Sequence, residues 1–164
     1  MDFDFDANYP KSDDRGRTKK DALELIQICS ASYEHLIRDL TKQYVRKHDI
    51  KQNIKKLYTF RKRIEYLRSK YVINEELFSN LVVLSEIRNK IHELMFNKNK
   101  VFESLSEIKC GDNRINVLPN DCQKYQVTCS YCSLQIFNII QELSPETIMH
   151  LESTEETEFK LIDE

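Results

Sequence analysis

The sequence predicts an all-α protein: four main helices in an antiparallel bundle, with short accessory helices. Three observations carry this. Two glycines and three prolines in 164 residues leave little material for hairpin turns. Apolar residues recur at 3-4 spacing in almost every window, and no stretch alternates as a half-buried strand would. Neighbouring elements are linked by short polar breaks, the pattern of helices that fold back on one another. The chain is long enough for one domain with its own core, assigned to 19–152 between an N-terminal segment, 1–18, and an acidic tail, 153–164.

Residues 1–18 alternate Asp with Phe and then become polar, too poor in apolar surface to offset the entropy of ordering. The first long helix is expected over 19–47. Ala22, Leu25, Ile26, Cys29, Tyr33, Leu36, Ile37, Leu40 and Tyr44 form its apolar face, and Arg46, Lys47 and His48 suit the negative end of its dipole. Arg38, Lys42 and Arg46 make a basic ladder opposite that face, with His35 nearby in solvent. A break at His48 and Asp49 leads to a second helix over 50–71, buried through Ile54, Leu57, Phe60, Ile64, Leu67 and Tyr71. Lys51, Lys55 and Lys62 line its far side.

Asn74 caps a third helix ahead of two acids. This helix is expected to run to Phe96, with Leu77, Leu81, Leu84, Ile91 and Met95 as its stripe. A short helix follows over 101–108 and a loop over 110–120. The last core helix spans 121–143, with Tyr125, Cys129, Cys132, Ile136, Ile139, Ile140 and Leu143 inward. Ser144 and Pro145 then mark a short terminal helix to Glu152.

Charge is unevenly placed. Arg38 to Lys70 holds twelve Lys and Arg against Asp39, Asp49 and Glu65. From Glu142 onward eight acids meet only Lys160. A basic middle of this kind suits a phosphate backbone, which Lys and Arg track without reading bases. The nucleic-acid-facing candidates are therefore Arg38, Lys42, Arg46, Lys51, Lys55 and Lys62, with RNA as the expected partner. No apolar run reaches membrane-span length and no secretory core opens the chain, so the expected compartment is the cytoplasm.

Five cysteines, an odd number, favour reduced thiols over a disulfide framework. Cys110, Cys122, Cys129 and Cys132 have poor zinc spacing, and the last two fall on a core face, where thiols act as small hydrophobes. Neither metal nor cofactor is expected. Glycine-rich phosphate loops, nucleophile elbows and His-Glu-x-x-His helices are absent from the sequence, which removes support for those chemistries.

What remains is Ser85-Glu86-Ile87-Arg88-Asn89-Lys90-Ile91-His92-Glu93. On a regular helix Arg88 enters the apolar stripe and His92 follows one turn later. A guanidinium there needs an acid or a bound anion. A helical hairpin carrying Ile-Arg-Asn-Lys-Ile-His resembles the HEPN superfamily, in which an Arg, often followed by Asn, precedes a His. Three residues separate Arg88 from His92, one fewer than the shortest spacing of that motif.

The resemblance implies a metal-independent endoribonuclease of a toxin–antitoxin or antiviral-defence system. Arg88 would neutralise phosphate charge, His92 would transfer protons, and Asn89 would orient Arg88. It also implies a homodimer through the 77–96 helix, with an antitoxin or other protein as a further partner. The alternative is a non-catalytic helical adaptor, or a nucleotide- or partner-binding module.

Overall fold

The computed structural model describes residues 19–95, 98–108 and 120–144. The segments 1–18 and 145–164, the short terminal helix to Glu152 and Cys110 all lie outside the described residues. Four principal helices form the domain: α1 (Lys19–His48), α2 (Phe60–Ser69), α3 (Glu75–Asn89) and, after the single-turn α4 (Lys98–Val101), α5 (Asp121–Leu143). Tighter 3₁₀ pieces occupy Ile54–Lys56, Ile91–Met95 and Glu103–Glu107. The described residues contain no strand.

α1 forms because its apolar residues return every three or four positions. Ala22, Ile26, Tyr33, Ile37 and Leu40 are fully buried along one side. Thr41 tolerates burial by donating its hydroxyl back to the Ile37 carbonyl at 2.7 Å. α5 answers with Cys122, Tyr125, Cys129, Cys132 and Ile136, all buried. The sequence-predicted Ile139, Ile140 and Leu143 pack half-buried at its far end. The Asn120 side chain starts α5 by accepting from the Gln123 amide at 2.8 Å.

α1 and α5 make the most extensive helix pair in the fold, and they point the same way. Ser32 Oγ meets Ser133 Oγ at 3.2 Å, Ser144 Oγ meets Gln43 Oε1 at 2.9 Å, and Lys47 Nζ donates to the Leu143 carbonyl. Partners thus ascend together along both helices. The expected antiparallel relation does not hold for this pair. α3 does reverse: Glu75 and Phe78, at its start, lie against Arg68 and Arg61 of α2.

The second helix departs most from expectation. It does not run from Ile50 to Tyr71. The Asn53 side chain accepts the Lys55 amide at 3.0 Å and holds a 3₁₀ turn, and Thr59 opens α2 by accepting the Lys62 amide at 3.2 Å. Two local caps divide what the apolar spacing reads as one helix. Lys51 therefore sits in a turn, Lys55 in the 3₁₀ piece and Lys62 on α2, so these lysines do not line one helical face.

α2 closes with Val72 N–H on the Leu67 carbonyl and Tyr71 N–H on the Arg68 carbonyl, each at 3.0 Å. Tyr71 occupies the left-handed position with φ 58° and is 95% exposed. That place favours glycine; a bulky residue there costs about 1 kcal/mol.

α3 is the central element, capped by Asn74 on the Leu77 amide at 2.8 Å. It buries Leu77, Phe78, Asn80, Leu81, Val83, Leu84 and Ile87, more than one stripe, because α1, α2, α5 and the 103–107 turn all pack against it. It does not continue to Phe96. Lys90 N–H bonds to the Glu86 and Ile87 carbonyls, and the backbone tightens into 3₁₀ geometry through Met95. This change lets half-buried Ile91 join the core packing and takes His92 off the ridge that carries Arg88.

Cys129 and Cys132 are buried on α5 as expected, and the cysteines of the described residues form no disulfide. Among the described residues no three His, Cys, Asp or Glu side chains converge, and no helix is long and apolar enough to cross a membrane.

Candidate anion-binding site

Arg88 is compensated by an acid. Its Nε lies 3.1 Å from Glu34 Oε1 on α1. The N–H does not align on that oxygen, so the contact is electrostatic, without a formed hydrogen bond. Both side chains are partly open, Arg88 at 39% and Glu34 at 32% exposure. Arg88 is thus not a guanidinium sunk in the core but one at its margin, above the buried Ile87 and Leu84.

Glu34 is the centre of a larger group. Arg38 stands one turn further along α1, and Arg63 of α2 feels the charge of both. Partial burial, then the neighbouring Arg38 charge, hold Arg63 below the ordinary guanidinium value, with Glu34 opposing them. Arg63 remains charged at any physiological pH. Its Nη2 donates to the Tyr58 carbonyl at 3.1 Å, which ties the guanidinium to the segment just ahead of α2. Arg88 of α3 thus pairs with Glu34, while Arg38 of α1 and Arg63 of α2 lie within electrostatic reach.

Tyr58 flanks this group with an open ring. It is 67% exposed, and Lys62 Nζ lies 4.1 Å from the ring centroid. The basic side chains further along α2 are already occupied: Arg61 on Glu65 and Arg68 on Glu75, both at 2.6 Å, and Lys70 on Asp49 at 3.4 Å. In contrast Arg38, Lys42, Arg46, Lys51, Lys55 and Lys62 are all exposed, and none has a salt-bridge partner among the described residues.

Three groups of site residues predicted from sequence are distributed as follows. Arg38, Lys42 and Arg46 keep their ladder on α1, and Arg38 joins the arginine group. Lys51 and Lys55 lie on the return segment between α1 and α2. His92 is 75% exposed, its Nε2 3.9 Å from Glu93, and makes no hydrogen bond or ion pair with Arg88. Asn89 is exposed at the last position of α3. Arg88 and His92 are thus each turned to an acid, Glu34 and Glu93. His35, expected in solvent, pairs with Asp39 at 3.2 Å on the exposed side of α1.

Sequence reasoning missed Glu34, Arg63 and Tyr58. Glu34 is legible as the acid that heads the ladder at i, i+4 from Arg38. Tyr58 is legible as an aromatic among Lys55, Lys56, Arg61 and Lys62. The convergence of Arg63 has no linear signal, because it depends on how α2 packs on α1. Comparisons of the chain with family models, with curated proteins and with solved structures give no match.

Proposed function

We propose that the chain is a HEPN-like, RNA-directed protein that grips the phosphodiester backbone at Arg38, Arg63 and Arg88. One observation carries this reading: Arg63 feels the like charge of Arg38 while the nearby Glu34 is already engaged by Arg88. Such a juxtaposition is unfavourable until an anion with several acceptor oxygens enters, and guanidinium forks match phosphate oxygens. The ladder through Lys42 and Arg46 extends the track, and Tyr58 offers a face on which an unpaired base can stack. The Arg-Asn-x-x-His resemblance supplies the choice of RNA over other polyanions.

Anisotropy of a labelled single-stranded RNA tests the reading. Affinity falls steeply as salt rises and varies little with sequence. Replacing Arg38 and Arg63 together by Gln weakens binding about tenfold or more and lowers the salt slope by about two. Unchanged binding in that variant overturns the reading, and no RNA binding at low salt returns the chain to the adaptor class.

A second reading, endoribonuclease action by a homodimer in a toxin–antitoxin or antiviral system, is favoured by the exposure of His92. An exposed imidazole is free to enter a cleft completed by a second protomer, where Arg88 would exchange Glu34 for the scissile phosphate. Incubation with total RNA decides it. Cleavage by the wild type that His92→Ala abolishes, with RNA binding retained, supports catalysis; an uncut substrate removes it.

A further inference from the structure

The end of α5 delivers the following chain to the last turns of α1. Lys47 Nζ holds the Leu143 carbonyl, and Ser144 Oγ reaches Gln43 Oε1 at 2.9 Å. The chain therefore leaves the described domain beside the last turns of α1, where Lys42 and Arg46 are exposed and have no ion-pair partner among the described residues. Arg46 to Arg38 spans about 12 Å along the helix at 1.5 Å per residue. The next 20 residues, 145–164, carry seven carboxylates against Lys160, with Glu155, Glu156 and Glu158 nearly consecutive. The eleven residues from Ser144 to Glu155 can span up to roughly 36 Å. Charge and reach both fit.

We propose that the acidic segment 153–164 docks on the Arg38, Lys42 and Arg46 ladder of its own chain and competes there with RNA, as a built-in restraint on binding. The proposal rests on the RNA-directed reading for its consequence, but the docking itself stands on charge and chain placement alone. Tethering presents the carboxylates at an effective concentration in the millimolar range, so weak individual ion pairs suffice. The restraint is electrostatic and hence fades with salt.

Two measurements on the full chain test it. In the first, a carbodiimide couples carboxylates directly to amines in dilute wild-type protein, and the monomer band is mapped by mass spectrometry. Amide links from Glu155, Glu156 or Glu158 to Lys42 are expected at low salt and disappear at high salt. Their absence, or their presence only in a dimer band, overturns the docking.

In the second, RNA affinity is compared between the wild type and a chain carrying Glu155→Gln, Glu156→Gln and Glu158→Gln. Binding tightens about tenfold at low salt, and the two proteins converge as the Debye length shrinks. Equal affinities at low salt overturn the competition. Cross-links to Lys42 in a protein that binds no RNA keep the docking and defeat only the RNA reading, so the two failures are separable.

Discussion

The two long sides of α1 do opposite things with similar raw material. Toward α5 the polar atoms are sealed in a neutral interior. Tyr33 and Tyr125 are fully buried with their hydroxyls adjacent to each other and to Cys129, and neither hydroxyl completes an aligned hydrogen bond. Burial, before any neighbour, pushes both phenols and the Cys129 thiol far above their ordinary values, so all three stay protonated. Toward α2 and α3, Glu34, Arg38, Arg63 and Arg88 stay partly solvated and charged. The first side derives its stability from packing, whereas the second keeps the charges that packing would penalise. Within one helix, the degree of closure against a neighbour separates scaffold from site.

The comparison breaks most visibly at Tyr125. If the α1–α5 side is held by packing, Tyr125→Ala leaves a cavity and costs about 3–5 kcal/mol in urea denaturation. A loss below about 1 kcal/mol would mean that the seam contributes little to the fold.

Glu34→Gln tests the other side with a smaller and two-signed effect. Removing the carboxylate frees Arg88 and makes the group more positive. Stability falls by about 1 kcal/mol or less, because the pair is partly exposed, while RNA affinity rises several-fold at low salt. Weaker RNA binding in this variant would show that Glu34 organises the guanidinium groups more than it masks them.

At the end of α1, Asp49 ties the charged side to pH. The Tyr66 hydroxyl donates to Asp49 Oδ2 at 2.8 Å and, with Lys70, holds its carboxyl below the usual range, against a smaller desolvation effect. A depressed carboxyl contributes stability that is present above its unfolded value and lost as pH falls through the folded one. Tyr66→Phe should therefore flatten the loss of urea midpoint between about pH 6 and about pH 3 relative to wild type. Parallel acid profiles would remove this hydrogen bond from the account.

The smallest effect is expected at Tyr33→Phe. A hydroxyl without an aligned partner contributes little, so the change in stability stays within about 0.5 kcal/mol. A loss above about 1.5 kcal/mol would mean that the Tyr33 and Tyr125 hydroxyls are bonded to each other in solution.

Much of the scaffold was legible in the sequence because helix periodicity and capping are local. Asn74 caps where expected, the last helix starts at Asp121 as its spacing requires, and Leu77, Leu81, Leu84, Tyr125, Cys129, Cys132 and Ile136 are buried. The misread boundaries arise from side chains that compete with the helix on equal terms. Asn53 and Thr59 divide the second helix, and the turn after Asn89 ends the third, where apolar spacing alone continues through both. The site was half legible for a different reason. Arg38, Lys42 and Arg46 share a helix and announce themselves by spacing. Arg63 comes within reach of the Glu34 charge only after α2 is laid on α1, and no window of sequence contains that event.

The agreement in direction of α1 and α5 bears on how the chain folds. Their bonded partners, Ser32 with Ser133 and Gln43 with Ser144, stand 101 residues apart in sequence. α1, α2 and α3 can collapse early through nearer contacts, Tyr33 on Phe60 among them, but the rest of the α5-facing side waits for α5, the last of the described helices. Closing so long a loop adds little to the equilibrium cost, since that cost grows only logarithmically with length, yet it slows the final step. During synthesis the part of α1 that α5 covers thus stays open until α5 is released. Apolar surface exposed in such an interval is the general seed of aggregation.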